Sequence, residues 1–299
     1  FEVLLNEVPE EINLLFAIGT CKLQLGFNGA AMTYFHRCLQ LKDDVVEIWN
    51  NLGSAWKNEH ENEKARECWE HCLTLREHCD YYNNLSTLYV NEGNPEEGLQ
   101  YSEKGMQLEP DHKRLHWNYA LMLLELGRWN EGFDHYEYGI ASMDRPHRNY
   151  GEGIDWWDGK NEKVVVYGEQ GMGDEIMFAS CIPDMKEEAE VVYDCHPRMK
   201  SLFRRSFDIP CHGTRKKNEI TWPHEEKPKS KVAIGSLFGI YRREGFPKET
   251  YLAPDPELVE LYRKRLAQIG PGPYIGIAWQ AGHKKTRLDL RSLKLRYFL

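Results

Sequence analysis

A repeat of 34 or 33 residues in the first half of the chain most strongly constrains the fold. Small residues recur at intervals of 34, 33 and 34 residues, at Gly19, Gly53, Ser86 and Ala120. Sixteen residues after each of them comes a position that is mostly aromatic, at Phe35, Trp69, Ser102 and Tyr136. A small residue facing an aromatic one suits two closely packed antiparallel helices. Such units cannot bury their apolar faces alone, so the pattern predicts a stack of helical hairpins.

The repeat resembles the tetratricopeptide repeat on its signature positions. These are occupied by Trp49, Leu52, Gly53, Ala65 and Pro110. The sequence departs from that pattern at Asp43, Glu77 and Ser86. The resemblance implies an all-α superhelix over residues 1–145, with about four repeats and a concave face that binds a protein or peptide. A purely structural spacer is the alternative.

Composition narrows the class of protein. The 299 residues carry a net charge of −9 and a pI near 5.8, which argues against nucleic acid or an anionic membrane surface as the main partner. No apolar run approaches the ~20 residues that span a bilayer. The eight cysteines include no CxxC pair, so we expect reduced thiols and a cytoplasmic location.

One group of cysteines and histidines invites a metal interpretation. It comprises Cys68, His71, Cys72, His78 and Cys79. Cys72 falls on the same repeat position as Cys38, so helix packing explains it. No second ligand pair faces Cys68 and His71 at the spacing of a zinc finger. The sequence therefore predicts no metal site.

A glycine-punctuated stretch over residues 164–178 is the centre of the second half. Three valines followed by Tyr167 predict a strand buried on both faces. Gly168, Gly171 and Gly173 allow a tight loop, and Asp174 and Glu175 open a helix at the end that favours negative charge. Strand, loop and helix in this order predict an anion or sugar-phosphate site. A tight turn without a ligand is the alternative.

The alternation of strands and helices predicts a Rossmann-like α/β domain over residues 163–270, after a linker over 146–162. We predict a helix over 174–188, strands at 190–195 and 209–211, irregular structure over 213–254 and a helix over 255–269. A further strand is predicted at 274–279. Residues 271–299 are then the start of a truncated second lobe.

Several motifs together resemble tetratricopeptide proteins that carry a glycosyltransferase domain. They read WWDG, GEQGMGDEIMF, HGTRK and IGIAWQAGHKKTRLDLRSL. The domain is similar to ADP-heptose:lipopolysaccharide heptosyltransferases and, more distantly, to protein O-GlcNAc transferases. The resemblance implies the first lobe of a GT-B fold, an inverting, metal-independent reaction and a nucleotide sugar as substrate, with no cofactor.

The resemblance also implies roles for individual residues. Asp174 matches the aspartate that is the candidate general base for the acceptor hydroxyl; its alternative is a carboxylate that complements the helix dipole. Candidate substrate-binding residues are Glu169, Gln170, Gly171, Gly173 and Glu175. Candidate residues for the donor diphosphate are Lys284, Lys285, Arg287 and Arg291. For each of these basic residues the alternative is a solvated charge near the chain end.

Two functions follow from these sequence features. The first is transfer of a sugar from a nucleotide-sugar donor to a protein or glycan acceptor that the repeats present. The second is a non-catalytic adaptor whose repeats bind a protein or peptide. Because few residues follow position 279, we expect the chain to be a fragment that is inactive alone.

Overall fold

The computed structural model describes residues 10–215, 220–245 and 249–274. The chain divides into two compact units, Phe1–Tyr251 and Leu252–Leu299. The first unit contains the helical repeats and a parallel β-sheet. The described part of the second unit contains one helix.

Four antiparallel helical hairpins fill residues 12–136, as the repeat predicts. Helices of 13 or 14 residues alternate with short turns until the last hairpin, whose second helix has 8 residues. Their bounds are α1 Ile12–Gln24, α2 Asn28–Leu41, α3 Val46–Asn58, α4 Asn62–Leu75, α5 Cys79–Glu92, α6 Pro95–Leu108, α7 Lys113–Glu125 and α8 Trp129–Tyr136. A short helix, α9 (Tyr138–Ala141), follows directly.

Close contact between the two helices of each hairpin explains the small residues of the repeat. A Cβ atom on Gly19 would lie 2.7 Å from the Phe35 ring, and one on Gly53 would lie 2.8 Å from Trp69 Nε1. In the third repeat both positions are serine, and the Ser86 and Ser102 hydroxyls are 2.7 Å apart in a buried hydrogen bond. Serine thus replaces the usual glycine at Ser86 in the one repeat where the facing aromatic residue is also replaced by serine, at Ser102.

The first helices of the repeats lie on the inner side of the array. Helix α1 contacts α3, and α5 contacts α7, in addition to the contacts within each hairpin. A side-chain hydrogen bond from Asn84 to Asn50 also joins α5 to α3. Because first helices approach one another across repeats, the array curves with these helices on its concave face. The predicted helical superhelix is therefore confirmed.

A five-stranded parallel sheet follows the repeats in the same unit. Its strands are β1 Asp155–Trp156, β2 Lys163–Tyr167, β3 Glu190–Asp194, β4 Cys211–His212 and β5 Ser230–Ala233. They lie in the order β1-β5-β2-β3-β4. Val164, Val165 and Val166 are fully buried in the central strand. Apolar side chains on both faces are what a covered parallel sheet requires.

Helices pack around this sheet with bounds that correct several sequence predictions. The predicted helix 174–188 is two helices, α10 Met172–Phe178 and α11 Ile182–Glu188, with Pro183 in the first turn of the second. The predicted linker 146–162 contains β1, and the segment predicted as irregular contains β5. The remaining helices are α12 Lys200–Phe207, α13 Pro223–Glu226 and α14 Ser236–Tyr241.

The second unit contains helix α15, Pro256–Ile269, close to the predicted 255–269. The Asp255 side chain accepts hydrogen bonds from the Glu257 and Leu258 N–H groups and so caps the helix. The strand predicted at 274–279 lies almost wholly outside the described residues.

We predict that Gly53→Ala lowers the free energy of unfolding by about 1–3 kcal/mol, because the added methyl group overlaps the Trp69 ring. Gly29→Ala is the matched control, since no atom lies within 4 Å of its added Cβ. It should be neutral or stabilise by up to about 1 kcal/mol through helix propensity. Urea unfolding followed by circular dichroism measures both. Equal effects of the two changes would contradict this explanation of the repeat.

Candidate functional site

The predicted site residues lie at the carboxyl edge of the sheet, in the loop between β2 and α10. Gly168 to Gly171 form this loop, and Gly171 is the N-cap of α10. The placement agrees with the sequence prediction for a strand, a glycine loop and a helix. The side chains of the loop, however, face partners within the protein.

Glu169 forms a fully buried ion pair with Arg145. Arg145 Nε donates to Glu169 Oε2 at 2.9 Å and Nη2 donates to Oε1 at 2.8 Å, and both side chains have 0% exposure. The other guanidinium hydrogens reach Tyr136 O, Glu137 Oε1 and Ser236 Oγ. Burial works against the charge, but Glu169 raises the pKa of Arg145 above its ordinary value. All five N–H donors of the guanidinium are therefore satisfied.

Glu175 is also buried and paired inside the protein. Its Oε1 accepts the His196 N–H at 2.8 Å, and its Oε2 accepts from Arg215 Nη1 at 2.6 Å. Burial raises the pKa of this carboxyl group, while the His196 and Arg215 donors act in the opposite direction. The carboxylate packs over Gly168, where a Cβ atom would lie 2.5 Å from Glu175 Cδ. Gly168 is thus required for this close approach.

A third buried carboxylate, Asp194, ends the neighbouring strand β3. It accepts hydrogen bonds from the Tyr150 hydroxyl at 2.8 Å and from the Thr214 N–H at 2.9 Å. Arg148 Nε lies 3.3 Å from Asp194 Oδ2. Three carboxylates at this edge therefore each have an arginine partner, and two of those arginines follow directly after the repeats.

The Arg145–Glu169 pair occupies the position where open α/β sheets bind ligands. Strand order reverses between β2 and β5, and ligands bind in the crevice outside such a switch point. Here the Gly235 N–H, just after β5, donates to Glu169 Oε1 at 3.0 Å. A Cβ atom on Gly235 would overlap the same oxygen. The Arg145–Glu169 pair occupies part of this crevice, so Glu169 has a structural role in addition to any predicted substrate contact.

Asp174 faces a separate groove. Its Oδ2 accepts the Gly171 N–H at 3.0 Å, so the carboxylate caps α10, as the alternative to catalysis predicts. The groove has a volume of about 250 Å³, and its other lining residues include Gln170, Leu121, Phe133 and Met177. Gln170 Nε2 donates to the Tyr136 hydroxyl at 3.0 Å. A role for Asp174 as a general base stays a prediction.

The structure also bears on the other residues that the sequence analysis singled out. Gly173 is exposed and has no atom within 4 Å of an added Cβ, so its surroundings do not require glycine. The four candidate donor-binding residues, Lys284, Lys285, Arg287 and Arg291, lie outside the described residues. Cys72 Sγ donates to the Val46 carbonyl oxygen at 3.6 Å, as the packing explanation for this cysteine requires.

A row of asparagine side chains on the concave face was not predicted. Asn51, Asn84 and Asn118 occupy one position in successive repeats. Asn51 Nδ2 donates to Thr20 Oγ1 at 3.2 Å, and Asn84 Nδ2 to Asn50 Oδ1 at 3.1 Å. Asn118 Nδ2 donates to Asn83 Oδ1 at 2.8 Å and to Thr87 Oγ1 at 3.1 Å. Each residue thus bonds to the preceding repeat, and we call this row the asparagine ladder.

Comparisons with known proteins support the repeats. A tetratricopeptide repeat family model matches residues 80–112. The chain is 25% identical to protein FlbA of Caulobacter vibrioides over 339 aligned positions, which cover 94% of this chain and 57% of FlbA. It is 26% identical over 108 residues to the tetratricopeptide repeat-containing protein trd-1 of Caenorhabditis elegans, covering 36% of this chain and 14% of trd-1. The chain contains tetratricopeptide repeats and spans only part of these relatives.

The crystal structure of MamA is one of the solved structures that match part of the chain. It is 19% identical, has a TM-score of 0.43, and the match covers 48% of this chain and 84% of MamA. The described residues contain no helix with the length and apolar character needed to cross a bilayer. The glycosyltransferase resemblance of the second half stays a prediction.

We predict that Arg145→Met lowers the free energy of unfolding by about 3–5 kcal/mol, because it leaves the Glu169 carboxylate buried without its partner. Arg145→Met combined with Glu169→Gln should recover part of this loss. Arg128→Met is the control, since the exposed Arg128–Glu131 pair contributes about 0–1 kcal/mol. Urea unfolding followed by tryptophan fluorescence distinguishes these outcomes. A loss of under about 1 kcal/mol for Arg145→Met would refute the proposed role of the pair.

Proposed function

We propose that this protein is an adaptor that binds an extended peptide segment of a partner protein on the concave face of its repeats. The observation that carries this proposal is the asparagine ladder. Its three asparagines and their hydrogen bonds link the four first helices, from Thr20 on α1 to Asn118 on α7. The tetratricopeptide fold provides the concave surface, and the ladder provides amide groups on it that can form hydrogen bonds with a peptide.

Asparagine amides suit a peptide backbone because each has two N–H donors and one carbonyl acceptor. The bonds to the preceding repeat occupy one N–H of Asn51 and one of Asn84. The second N–H and the carbonyl oxygen of Asn51 and of Asn84 can then pair with backbone C=O and N–H groups. Asn118, whose Nδ2 already donates two bonds, offers its carbonyl oxygen. The inter-repeat bonds also hold the amides in fixed orientations, which lowers the entropic cost of binding.

The spacing of the ladder fits an extended chain. Neighbouring helices pack roughly 8–10 Å apart, and an extended peptide advances about 3.3 Å per residue. One step of the ladder therefore matches about three residues of a bound peptide. A segment of about 12 residues would reach all four repeats.

To test this proposal, 12-residue peptides are selected from a random phage-displayed library on the immobilised protein. Their dissociation constants are then measured by fluorescence anisotropy. We expect the triple variant Asn51→Ala/Asn84→Ala/Asn118→Ala to bind the selected peptides at least about tenfold more weakly, since three hydrogen bonds of about 0.5–1.5 kcal/mol each are lost.

Asn58→Ala is the matched control for the ladder variants. Asn58 lies on α3 as Asn51 does, but it is exposed at the end of the helix and bonds to Asn28. It should leave peptide affinity unchanged. Circular dichroism checks that the triple variant stays folded. Selected peptides that bind the folded triple variant as tightly as the unchanged protein would refute the ladder as the binding surface.

Sugar transfer is a second candidate function, and one observation favours it. The strand order β4-β3-β2-β5 is that of a nucleotide-binding α/β half, with the loop before α10 at its carboxyl edge. In this proposal Asp174 takes the proton of the acceptor hydroxyl as its oxygen attacks the anomeric carbon. Lys284, Lys285, Arg287 and Arg291 stabilise the departing diphosphate.

Binding of ADP-sugars and UDP-sugars, measured by saturation-transfer NMR, tests this candidate. We expect binding to be lost when the four basic residues are changed to alanine and to persist with Asp174→Asn. Asp158→Asn, an exposed carboxylate in the same unit, is the control. Absence of binding to both nucleotide sugars would leave the adaptor function as the explanation for the chain.

A further inference from the structure

Three ligand-type side chains meet where the third and fourth repeats join. Cys79 is the first residue of α5, Glu109 follows α6, and His112 is the N-cap of α7. The thiol sulfur, a Glu109 carboxylate oxygen and a His112 ring nitrogen all lie within 4.8 Å of one another. The Cys79 Sγ to Glu109 Oε2 distance is 2.8 Å.

The protein itself holds two of these groups, Cys79 and His112, in place. Cys79 is only 4% exposed, so its sulfur is held in the core under the junction. His112 Nδ1 accepts the Leu115 N–H at 3.1 Å, which orients the ring as a helix cap. The opposite nitrogen, Nε2, lies 3.4 Å from Asp80 Oδ1. Asp80 thus lies beside the group, next to His112 Nε2.

The set of donor atoms favours zinc over other common ions. Thiolate, imidazole and carboxylate are the three ligand types of Zn²⁺, whereas Mg²⁺ and Ca²⁺ take oxygen ligands. Zinc bonds of about 2.0–2.3 Å in a tetrahedral site place ligand atoms roughly 3–4 Å apart. The distances among Cys79, Glu109 and His112 are close to this range.

We propose that Cys79, Glu109 and His112 form a zinc site that ties the third repeat to the fourth, with Asp80 or a water molecule as the fourth ligand. Binding releases the thiol proton of Cys79 to solvent. In the free protein His112 caps α7 with an unprotonated Nδ1, so its proton is on Nε2. Zinc on Nε2 moves that proton to Nδ1 and exchanges the Leu115 hydrogen bond for the metal bond.

A second arrangement shares Cys79 and is distinguished by the test. The His78, Cys79 and Asp80 donor atoms also lie within 4.8 Å of one another. His78 and His112 are equivalent N-caps of successive first helices, and His78 Nδ1 accepts the Asp80 N–H at 3.2 Å. The His112 set is favoured because it adds the Glu109 carboxylate, which already touches the sulfur.

The experiment is a titration of the chelator-treated protein with Co²⁺ under reducing conditions, followed by displacement with Zn²⁺. We expect a thiolate-to-cobalt charge-transfer absorption that saturates at one equivalent and disappears on adding Zn²⁺. Cys79→Ser should abolish the absorption. Cys21→Ser, which changes an exposed cysteine elsewhere in the array, should leave it unchanged. Zinc should raise the thermal midpoint of the unchanged protein by roughly 5 °C or more.

His112→Asn makes the test independent of folding, because asparagine is itself a favoured N-cap. It keeps the helix cap, and we expect it to weaken Co²⁺ binding at least tenfold. His78→Asn is the matched control and should keep the affinity. An absorption that survives Cys79→Ser, or one that is lost with His78→Asn and retained with His112→Asn, would overturn the assigned ligands.

Discussion

The buried ion pair between Arg145 and Glu169 is the interaction on which the arrangement of the first unit depends. Taking two charges out of water costs several kcal/mol per ion, and only complete pairing offsets this. Arg145 meets that condition because its five N–H groups reach Glu169, Tyr136, Glu137 and Ser236. These acceptors come from the last repeat, the loop after β2 and the start of α14. One side chain therefore fixes the repeats against the sheet.

The same pair explains why the sheet edge differs from a simple ligand site. A nucleotide in the crevice between β2 and β5 would have to displace Arg145 or bind above it, because Glu169 and the Gly235 N–H are already joined there. Displacement would leave Glu169 buried and unpaired, which costs about 3–5 kcal/mol. Binding energy of a ligand would first have to offset this. The concave face carries no such cost, since its amides keep free hydrogen-bonding groups.

Features that recur at the repeat interval could be predicted from the sequence. Contacts between residues far apart in the chain could not. The spacing of Gly19 and Gly53 from Phe35 and Trp69 directly predicts helix hairpins. The asparagine ladder has the same period, so an alignment of the repeats places Asn51 and Asn84 at one position. It does not show that they form hydrogen bonds to the preceding repeat. Arg215 is 40 residues from its partner Glu175, a pairing that no local pattern indicates. Strand β5 was not predicted because Lys231 interrupts its apolar run. In the structure Lys231 Nζ donates a hydrogen bond to the Arg148 carbonyl oxygen inside the protein.

One polar position on the concave face becomes apolar where the repeats meet the sheet. The position held by Thr20, Ser54 and Thr87 in the first three repeats is Leu121 in the fourth. Leu121 is 39% exposed and lines the groove that Asp174 faces. In the proposed binding mode, a peptide that follows the amides along the array would reach an apolar surface beside one carboxylate at the junction. Because the buried Arg145 pair holds this junction rigid, the two surfaces keep a fixed register, and the sheet defines one end of the surface that the repeats present.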